Sequence, residues 1–318
     1  MGNLGEEAPS GNPFSLMPFE PPTASRWSAE TKKGGTRVDV FGLRVCVCVK
    51  SFMPLNEDGD PHPSEIFSGK EEWATPTGRV WTIHHYAATG STNDVCRNLP
   101  PWSAVRADTQ SRGRGRFGRS FISGPGGLWL SASLPASGAP SLWTGFSLRV
   151  GACLLRYART LGLPDVRMRW PNDLLCADRK FAGLLIEQPA TGIIVVGIGL
   201  NITNQPWLEA PELLSSTTSL AAQMVTPPAI QEVMVGILEA LTKGHQQMID
   251  GGMEAAINEL NESWREFHPV ELALSDGRIL SGSFIGLDPM GHLRIQDDSG
   301  REIVIEHHFV QRLRELAK

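Results

Sequence analysis

The sequence predicts an α+β protein built as two units, a mixed-sheet domain followed by a small β barrel. Three observations carry that expectation. The chain has 318 residues, more than one hydrophobic core usually organises. From position 80 onward, short apolar runs such as VWTIHHY, GLWLSASL and GIIVVGIGLNI alternate with stretches of helical periodicity, the pattern of a sheet covered by helices. Past Pro269 the apolar residues change to period two, and Asp-Gly, Asp-Pro-Met-Gly and Ser-Gly turns separate four or five short strands, which suits a small barrel.

In chain order, residues 1–36 are rich in Gly, Pro, Ser and Glu without any periodicity that could bury a face, so a disordered tail is expected. Residues 38–52 (VDVFGLRVCVCVKSF) are β-branched and alternating, a strand or hairpin, followed by a polar stretch. The attachment of this 37–79 extension stays open. It belongs to no fold at all if translation begins later, for example at Met53. The main domain is expected over 80–267. Residues 141–161 place Leu142, Phe146, Val150, Leu154 and Tyr157 at helical spacing, and residues 228–249 do the same with Ile230, Val233, Ile237 and Leu241. A third helical stretch, 253–267, ends before Pro269, and 268–318 form the barrel. There are no internal repeats.

Composition excludes several classes. Hydrophobic residues make up 41% and charged residues 20%, enough to bury a core and too apolar for wholesale disorder. The net charge of -5 excludes a histone-like polyanion binder, so any anion site has to come from a local cluster. No run reaches the roughly 18 to 20 apolar residues a membrane span needs, and the N-terminal MGNLGEEAPSGNPF has no basic segment followed by an apolar core. A cytoplasmic protein is expected. Cys46, Cys48, Cys96, Cys153 and Cys176 lack the C-x-x-C spacing of zinc or redox sites and read as reduced thiols. The pairs His84-His85 and His307-His308 have no partners at metal-ligand spacing, so no dedicated metal site is expected.

Chemistry concentrates in three windows. Residues 106–119 carry five arginines and three glycines against one aspartate. Glycines 113, 115 and 118 permit close backbone approach, and Arg112, Arg114, Arg116 and Arg119 supply forked donors that match phosphate or carboxylate oxygens. On composition alone an anion cradle and a solvated or nucleic-acid-binding Arg-Gly loop are equally good readings. Residues 168–187 join two strand-like segments through a Pro-Asn-Asp turn. They bring Trp170, Asn172 and Asp173 close to Lys180, which enters an apolar strand holding Gly183, a position where a ligand can approach the backbone. Residues 196–201 (VGIGLN) form a buried strand ending on the amide of Asn201; G-x-G alone is a weak signal.

Taken in order, Gly90-Ser-Thr-Asn93, GRGRFGR at 113–119, GGLWLS at 126–131, WPND at 170–173, RKFAGLLIE at 179–187, GIGLN at 197–201 and TSL at 218–220 resemble the biotin protein ligase family, in the form without an N-terminal DNA-binding domain. The resemblance spans about 80–318. It implies a seven-stranded mixed-sheet catalytic domain of the biotin/lipoate ligase type followed by an SH3-like barrel. It also implies an AMP-forming carbon–nitrogen ligase. Biotin is activated with ATP and Mg²⁺ to biotinyl-5′-AMP, then passed to a lysine of the biotin carboxyl carrier domain of acetyl-CoA carboxylase or a related carboxylase. By motif position, Ser91, Thr92, Asn93, Gln110, Gly113, Arg114, Trp129, Lys180 and Gly183 look like biotin-binding residues. Arg116, Arg119, Trp170, Asn172, Asp173 and Asn201 look like nucleotide-binding ones, with Arg116, Arg119 and Lys180 acting catalytically.

The chain departs from the family pattern in three places: Arg169 stands where Lys is frequent, Phe121 where Trp is usual, and Arg112 where Ala or Gly is common. Residues 1–79 lack two adjacent helical stretches with a Gly turn, so no operator binding is expected. A homodimer is one possible state. The rival readings are a lipoate ligase or octanoyl transferase of the same superfamily, an Arg-Gly nucleic-acid-binding module with steeply salt-dependent affinity, and a non-catalytic biotin sensor indifferent to loss of Lys180.

Overall fold

The computed structural model describes residues 65–138, 143–190, 192–264 and 268–316, together with the backbone of three strands before them, β1 (Ala29–Lys32), β2 (Gly35–Val40) and β3 (Leu43–Cys48). The expected disordered tail therefore lies mostly outside the described residues, and β1 falls within its last part. The hairpin expected over 38–52 corresponds to the antiparallel pair β2–β3.

The main sheet continues with β4 (Ile66–Ala74), β5 (Val80–Ala88), β6 (Ser103–Ala107), β7 (Gly127–Ala136), β8 (Val166–Arg169), β9 (Asp173–Cys176), β10 (Arg179–Ala190) and β11 (Gly192–Asn201). Its order is β1-β2-β3-β4-β5-β6-β7-β11-β10-β9-β8, with β5–β6 the parallel pair. The sheet thus has eleven strands where the family resemblance implies seven, the four from β1 to β4 extending it past β5.

Alternation along the central strands fixes what each face does. Leu128, Leu130, Ala132 and Leu134 of β7 and Ile194, Val196, Ile198 and Leu200 of β11 enter one hydrophobic core with α2 (Phe146–Thr160), the short α3 (Leu220–Gln223), α4 (Ile230–Asp250) and α5 (Glu254–Ser263). The intervening residues, Trp129 and Ser131 of β7 and Gly197, Gly199 and Asn201 of β11, point to the opposite face. The register places Trp129 against Gly199, Ser131 against Gly197, and Gly199 against Gly183 of β10.

Three element boundaries differ from expectation. The sheet does not begin at 80: β4 pairs antiparallel with β5, setting Trp73 against Trp81, and both rings are buried in the core. The turn between them is held to α4, where Thr77 Oγ1 donates to Glu239 Oε2 at 2.9 Å and Trp81 Nε1 donates to Thr242 Oγ1 at 3.1 Å. The outward residues Ser68, Lys70 and Glu72 make this segment read as polar, which masks its buried alternate positions. The helix expected over 141–161 starts at Phe146, after Gly145 at φ 79°. The one expected over 253–267 stops at Ser263.

Residues from His268 form a second, all-antiparallel sheet of five strands, compatible with an SH3-like barrel: β12 (His268–Leu274), β13 (Ile279–Leu287), β14 (Leu293–Gln296), β15 (Glu302–Ile305) and β16 (Val310–Glu315). It shares the main core, since Val270, Leu272, Phe284 and Leu293 belong to the same buried cluster as β7 and β11. Polar anchors fix its docking. Arg167 of β8 donates both arms to Glu315 of β16 at 2.7 and 2.6 Å. Trp170 Nε1 donates to Gly291 O at 3.0 Å, and Trp264 Nε1 donates to Met168 O. The Arg167 and Glu315 side chains are 6% and 11% exposed, so solvent screens their attraction little. Cys96, Cys153 and Cys176 are buried free thiols. Among the described residues no helix is long and apolar enough to cross a membrane, and no cluster of His, Cys, Asp and Glu is placed to hold a metal.

Glu315→Ala should lower the unfolding free energy by about 3 kcal/mol, because Arg167 stays buried after losing one of its two carboxylates. Urea unfolding checks this; an unchanged midpoint would mean that the pair does not secure the barrel.

Candidate active site

On the face of the sheet away from the helical core lies a cavity of about 670 Å³. One end is polar and tightly cross-linked. The turn after β5 and the short helix α1 (Thr92–Cys96) present Ser91, Thr92 and Asn93, all buried. Gln110 Oε1 accepts from Thr92 N at 2.8 Å and Thr92 Oγ1 at 3.0 Å, while Gln110 Nε2 donates to Ser123 Oγ at 2.9 Å. Ser131 Oγ lies 2.6 Å from Asn93 Oδ1 and 2.7 Å from Thr92 Oγ1. Buried donors and acceptors fixed this way match a ligand group with a set pattern of N–H and C=O, and leave an uncompensated loss for one without.

The floor is glycine. A methyl group on Gly183 would lie 2.8 Å from Lys180 Nζ, so only glycine lets the ammonium lie back across β10. Phe121 covers Gly199 from above. Its ring meets Trp129 edge-on at 5.8 Å between centroids, and Lys180 Nζ sits 5.2 Å from the Phe121 centroid.

The arginine loop is a small hairpin: Phe121 N donates to Gly113 O at 2.8 Å and Gly115 N to Arg119 O at 2.7 Å. A side chain at Gly113 would strike Phe121 O at 2.4 Å, so that glycine serves the loop's own closure. Each arginine has a different address. Arg114 forks onto Asp94, NH1 to Oδ2 and NH2 to Oδ1, both at 2.7 Å. Arg116 is half-buried and reaches the barrel, donating to His307 O at 2.5 Å and Val310 O at 3.3 Å. Burial draws its guanidinium down to about 10, aided by Arg119 and opposed by Asp173. Arg119 is exposed and donates from Nε to Arg116 O at 3.3 Å.

At the other end, the turn before β9 carries the second group of charges. Asp173 Oδ1 is 2.6 Å from Lys180 Nζ, and its Oδ2 accepts from Arg169 at 2.8 Å. Burial alone would raise the Asp173 carboxyl, but Lys180 and then Arg169 outweigh it and hold it at about 2. Asn172 is tied to β10, its Nδ2 donating to Leu184 O at 2.7 Å. Asn201 Nδ2 donates to Thr218 O at 3.0 Å and its Oδ1 accepts from Asn204 at 2.8 Å. Trp170 is 2% exposed, with its ring nitrogen engaged by the barrel.

Arg114, Arg116, Arg119 and Lys180 thus line one cavity with Ser91, Thr92, Asn93, Gln110, Trp170, Asn172, Asp173, Gly183 and Asn201. Two of the residues read from sequence stand elsewhere. Trp129 is wholly buried behind Phe121, with Nε1 donating to Gly124 O at 2.9 Å. Gly113 closes the base of the loop against Phe121 and is outside the cavity lining. The amide nitrogens of Asn172 and Asn201 donate to protein carbonyls, and Asn201 Oδ1 accepts from Asn204.

Sequence reading missed Phe121 as a lining ring, and it missed the barrel's contribution: Arg312 and Arg314 of β16 also line the cavity. Burial lowers the Arg312 guanidinium, and the neighbouring Arg314, Arg119 and Arg169 add to this. The i, i+2 spacing of those two arginines was readable as one strand face, but nothing local says which face meets the catalytic sheet. The arrangement as a whole is a polar recess opening into a cation-lined trough, suited to a small ligand whose carboxylate meets a polyphosphate.

Because the Asp173 carboxyl lies at about 2 against an ordinary 3.8, its ion pairs contribute stability above about pH 4 that is lost as pH falls toward 2. Asp173→Asn should cost about 2 kcal/mol at neutral pH and converge with the parent protein near pH 2. Denaturant titrations at several acid pH values check this; a gap that persists at pH 2 would contradict it.

A family model described as the biotin/lipoate A/B protein ligase family matches residues 90–202. The bifunctional ligase/repressor BirA of Escherichia coli is 32% identical over 258 residues, 75% of this chain and 76% of that protein. The biotin–[acetyl-CoA-carboxylase] ligase of Paracoccus denitrificans is 30% identical over 235 residues, covering 69% of this chain and 95% of that one. Among solved structures, the biotin protein ligase of Aquifex aeolicus in complex with biotin and ATP superposes with a TM-score of 0.62 over 71% of this chain and 95% of that chain, at 23% identity, a likeness of fold. On sequence and fold together, the chain belongs to the biotin/lipoate A/B protein ligase family, in its biotin protein ligase branch.

Proposed function

We propose that this protein activates biotin with ATP to biotinyl-5′-AMP and transfers the biotinyl group to a lysine of a biotin carboxyl carrier domain, that of acetyl-CoA carboxylase or a related carboxylase. One observation carries the reading: the arginine loop and Lys180 line the same cavity as the cross-linked polar recess of Ser91, Thr92, Asn93 and Gln110. The recess suits the ureido ring, which offers two N–H donors and a carbonyl. The cationic trough suits the meeting of a carboxylate with a triphosphate.

A carboxylate oxygen of biotin attacks the α-phosphorus. The bond from that phosphorus to the bridging oxygen breaks, and pyrophosphate leaves. Lys180, drawn from Asp173 toward the incoming anions, neutralises the charge they share, and Arg119 and Arg116 close over the new mixed anhydride. The carrier lysine then attacks the acyl carbon, AMP departs, and the amine proton is lost to water or AMP. A closed loop keeps water from the anhydride meanwhile. No covalent protein nucleophile takes part.

Mg²⁺ fits as a companion of ATP. Asp173 is already held by Lys180 and Arg169, and the described residues offer no ready ligand set, so the ion would reside on the polyphosphate and supply positive charge there. Arg169, Arg312 and Arg314 at the rim favour the polyphosphate end. We place the activity in the cytoplasm, where ATP is available and the buried free thiols stay reduced.

Lipoate or an octanoyl chain gives the polar recess no donor or acceptor to pair with, which favours biotin over those substrates. A nucleic-acid module is disfavoured because Arg114 and Arg116 reach into the protein.

Incubation of the protein with biotin, MgATP and a purified carrier domain should add one biotinyl mass to the carrier, read by mass spectrometry. Lys180→Ala should slow this by about 10²- to 10³-fold; no gain on any carrier by the folded protein would overturn the reading. Gly183→Ala meets the flexible tip of Lys180 and not the backbone. It should therefore slow ligation roughly a hundredfold by displacing the ammonium, while the melting temperature stays close to that of the parent.

A further inference from the structure

Arg114 is unlike the other arginines of its loop. Its fork is filled by the carboxylate of Asp94, and its NH2 also approaches Glu187 Oε1 at 3.4 Å. Arg97 shares the same two acids, 2.9 Å from Asp94 and 3.6 Å from Glu187, so two cations and two anions form a closed group. Hydrogen bonds from Arg114 keep the Asp94 carboxyl below its usual range. The group extends into the binding recess: Glu187, on the cavity face of β10, accepts from Asn93 Nδ2 at 3.0 Å, and Asn93 continues through Ser131 and Thr92 to Gln110. Further along, Arg116 rests on carbonyls of the barrel, and at the far end Arg119 is held by a single bond to a carbonyl of the loop itself.

We propose, resting on the ligase reading above, that Asp94 and Glu187 are positioning residues that pin the root of the arginine loop through Arg114. The tip then closes over bound ligand about a fixed end, and the charge of Arg114 is not used on substrate. The sequence motif groups Arg114 with the ligand-binding arginines; the geometry divides the loop into an anchored root and a working tip. The same chain of bonds ties the root to the residues that would hold the ureido ring, so loosening one loosens the other.

The test is loop cleavage and kinetics in Asp94→Asn and Glu187→Gln, which keep shape and remove charge. Trypsin cleavage after the exposed Arg119 in the ligand-free protein, read by mass spectrometry, should accelerate by about tenfold, the scale of one charge-assisted pair. The KM for biotin should rise by a similar factor, with kcat at saturation changed less than about threefold. Asp94→Glu, which retains the charge, should leave both near the parent values. In an Arg114→Gln background the Asp94→Asn effect should shrink well below additivity, to the part carried by Arg97, because the larger share acts through one pair.

Unchanged cleavage and unchanged biotin KM in the folded variants, or additive effects in the double variant, would overturn the proposal. Failure of the parent protein to ligate biotin would instead overturn the ligase reading, and the ligand-free cleavage series would still decide the anchoring.

Discussion

The pairing register of β7, β11 and β10 is the constraint on which everything else depends. It brings Trp129, Gly199 and Gly183 side by side, and Ser131 beside Gly197, so one face of three strands becomes a low floor bordered by small polar groups. The other face carries Leu130, Ile198 and Leu184 into the core. A slip of one residue in any of these ladders would exchange the two sets. It would bury the serine in hydrocarbon and turn leucine toward the ligand. Hydrophobic burial on the helical side is therefore also what aims the chemical groups on the other.

Charge in the cavity follows a second rule. Several of its cations are already neutralised by a neighbour of this chain: Lys180 and Arg169 by Asp173, Arg114 by Asp94. Arg116 is stabilised by backbone carbonyls. Arg119 and the barrel arginines at the rim are less committed. An anionic ligand thus meets donors already oriented, and the protein tolerates their concentration because local acids balance them. The low carboxyl of Asp173 is the measurable trace of that balance.

Much of the fold and the position of the site could be read from the sequence because both rest on local regularities. Short apolar runs located β7, β10 and β11, the Gly-Arg alternation located the loop, and the change to period two at Pro269 located the barrel. The misses share a cause: they depend on distant parts of the chain. Strand β4 reads as polar because the partner burying its alternate residues is in β5 and α4. The ring of Phe121 lying over Trp129 is likewise not readable locally. Arg312 and Arg314 are ordinary strand residues until the Arg167–Glu315 pair orients β16 over the trough. The fate of each arginine in the loop was likewise invisible, since Asp94, Glu187 and the carbonyl of His307 lie in separate segments.

The wall contributed by 310–316 has a bearing on synthesis at the ribosome. The catalytic sheet is complete once β11 has emerged, yet one side of the trough is still missing and the guanidinium of Arg116 has no carbonyls to meet. A nascent polypeptide at that stage would offer a half-built vessel, open to water along its length. Competence to guard a reactive anhydride is therefore acquired late, when the barrel folds down onto the finished sheet.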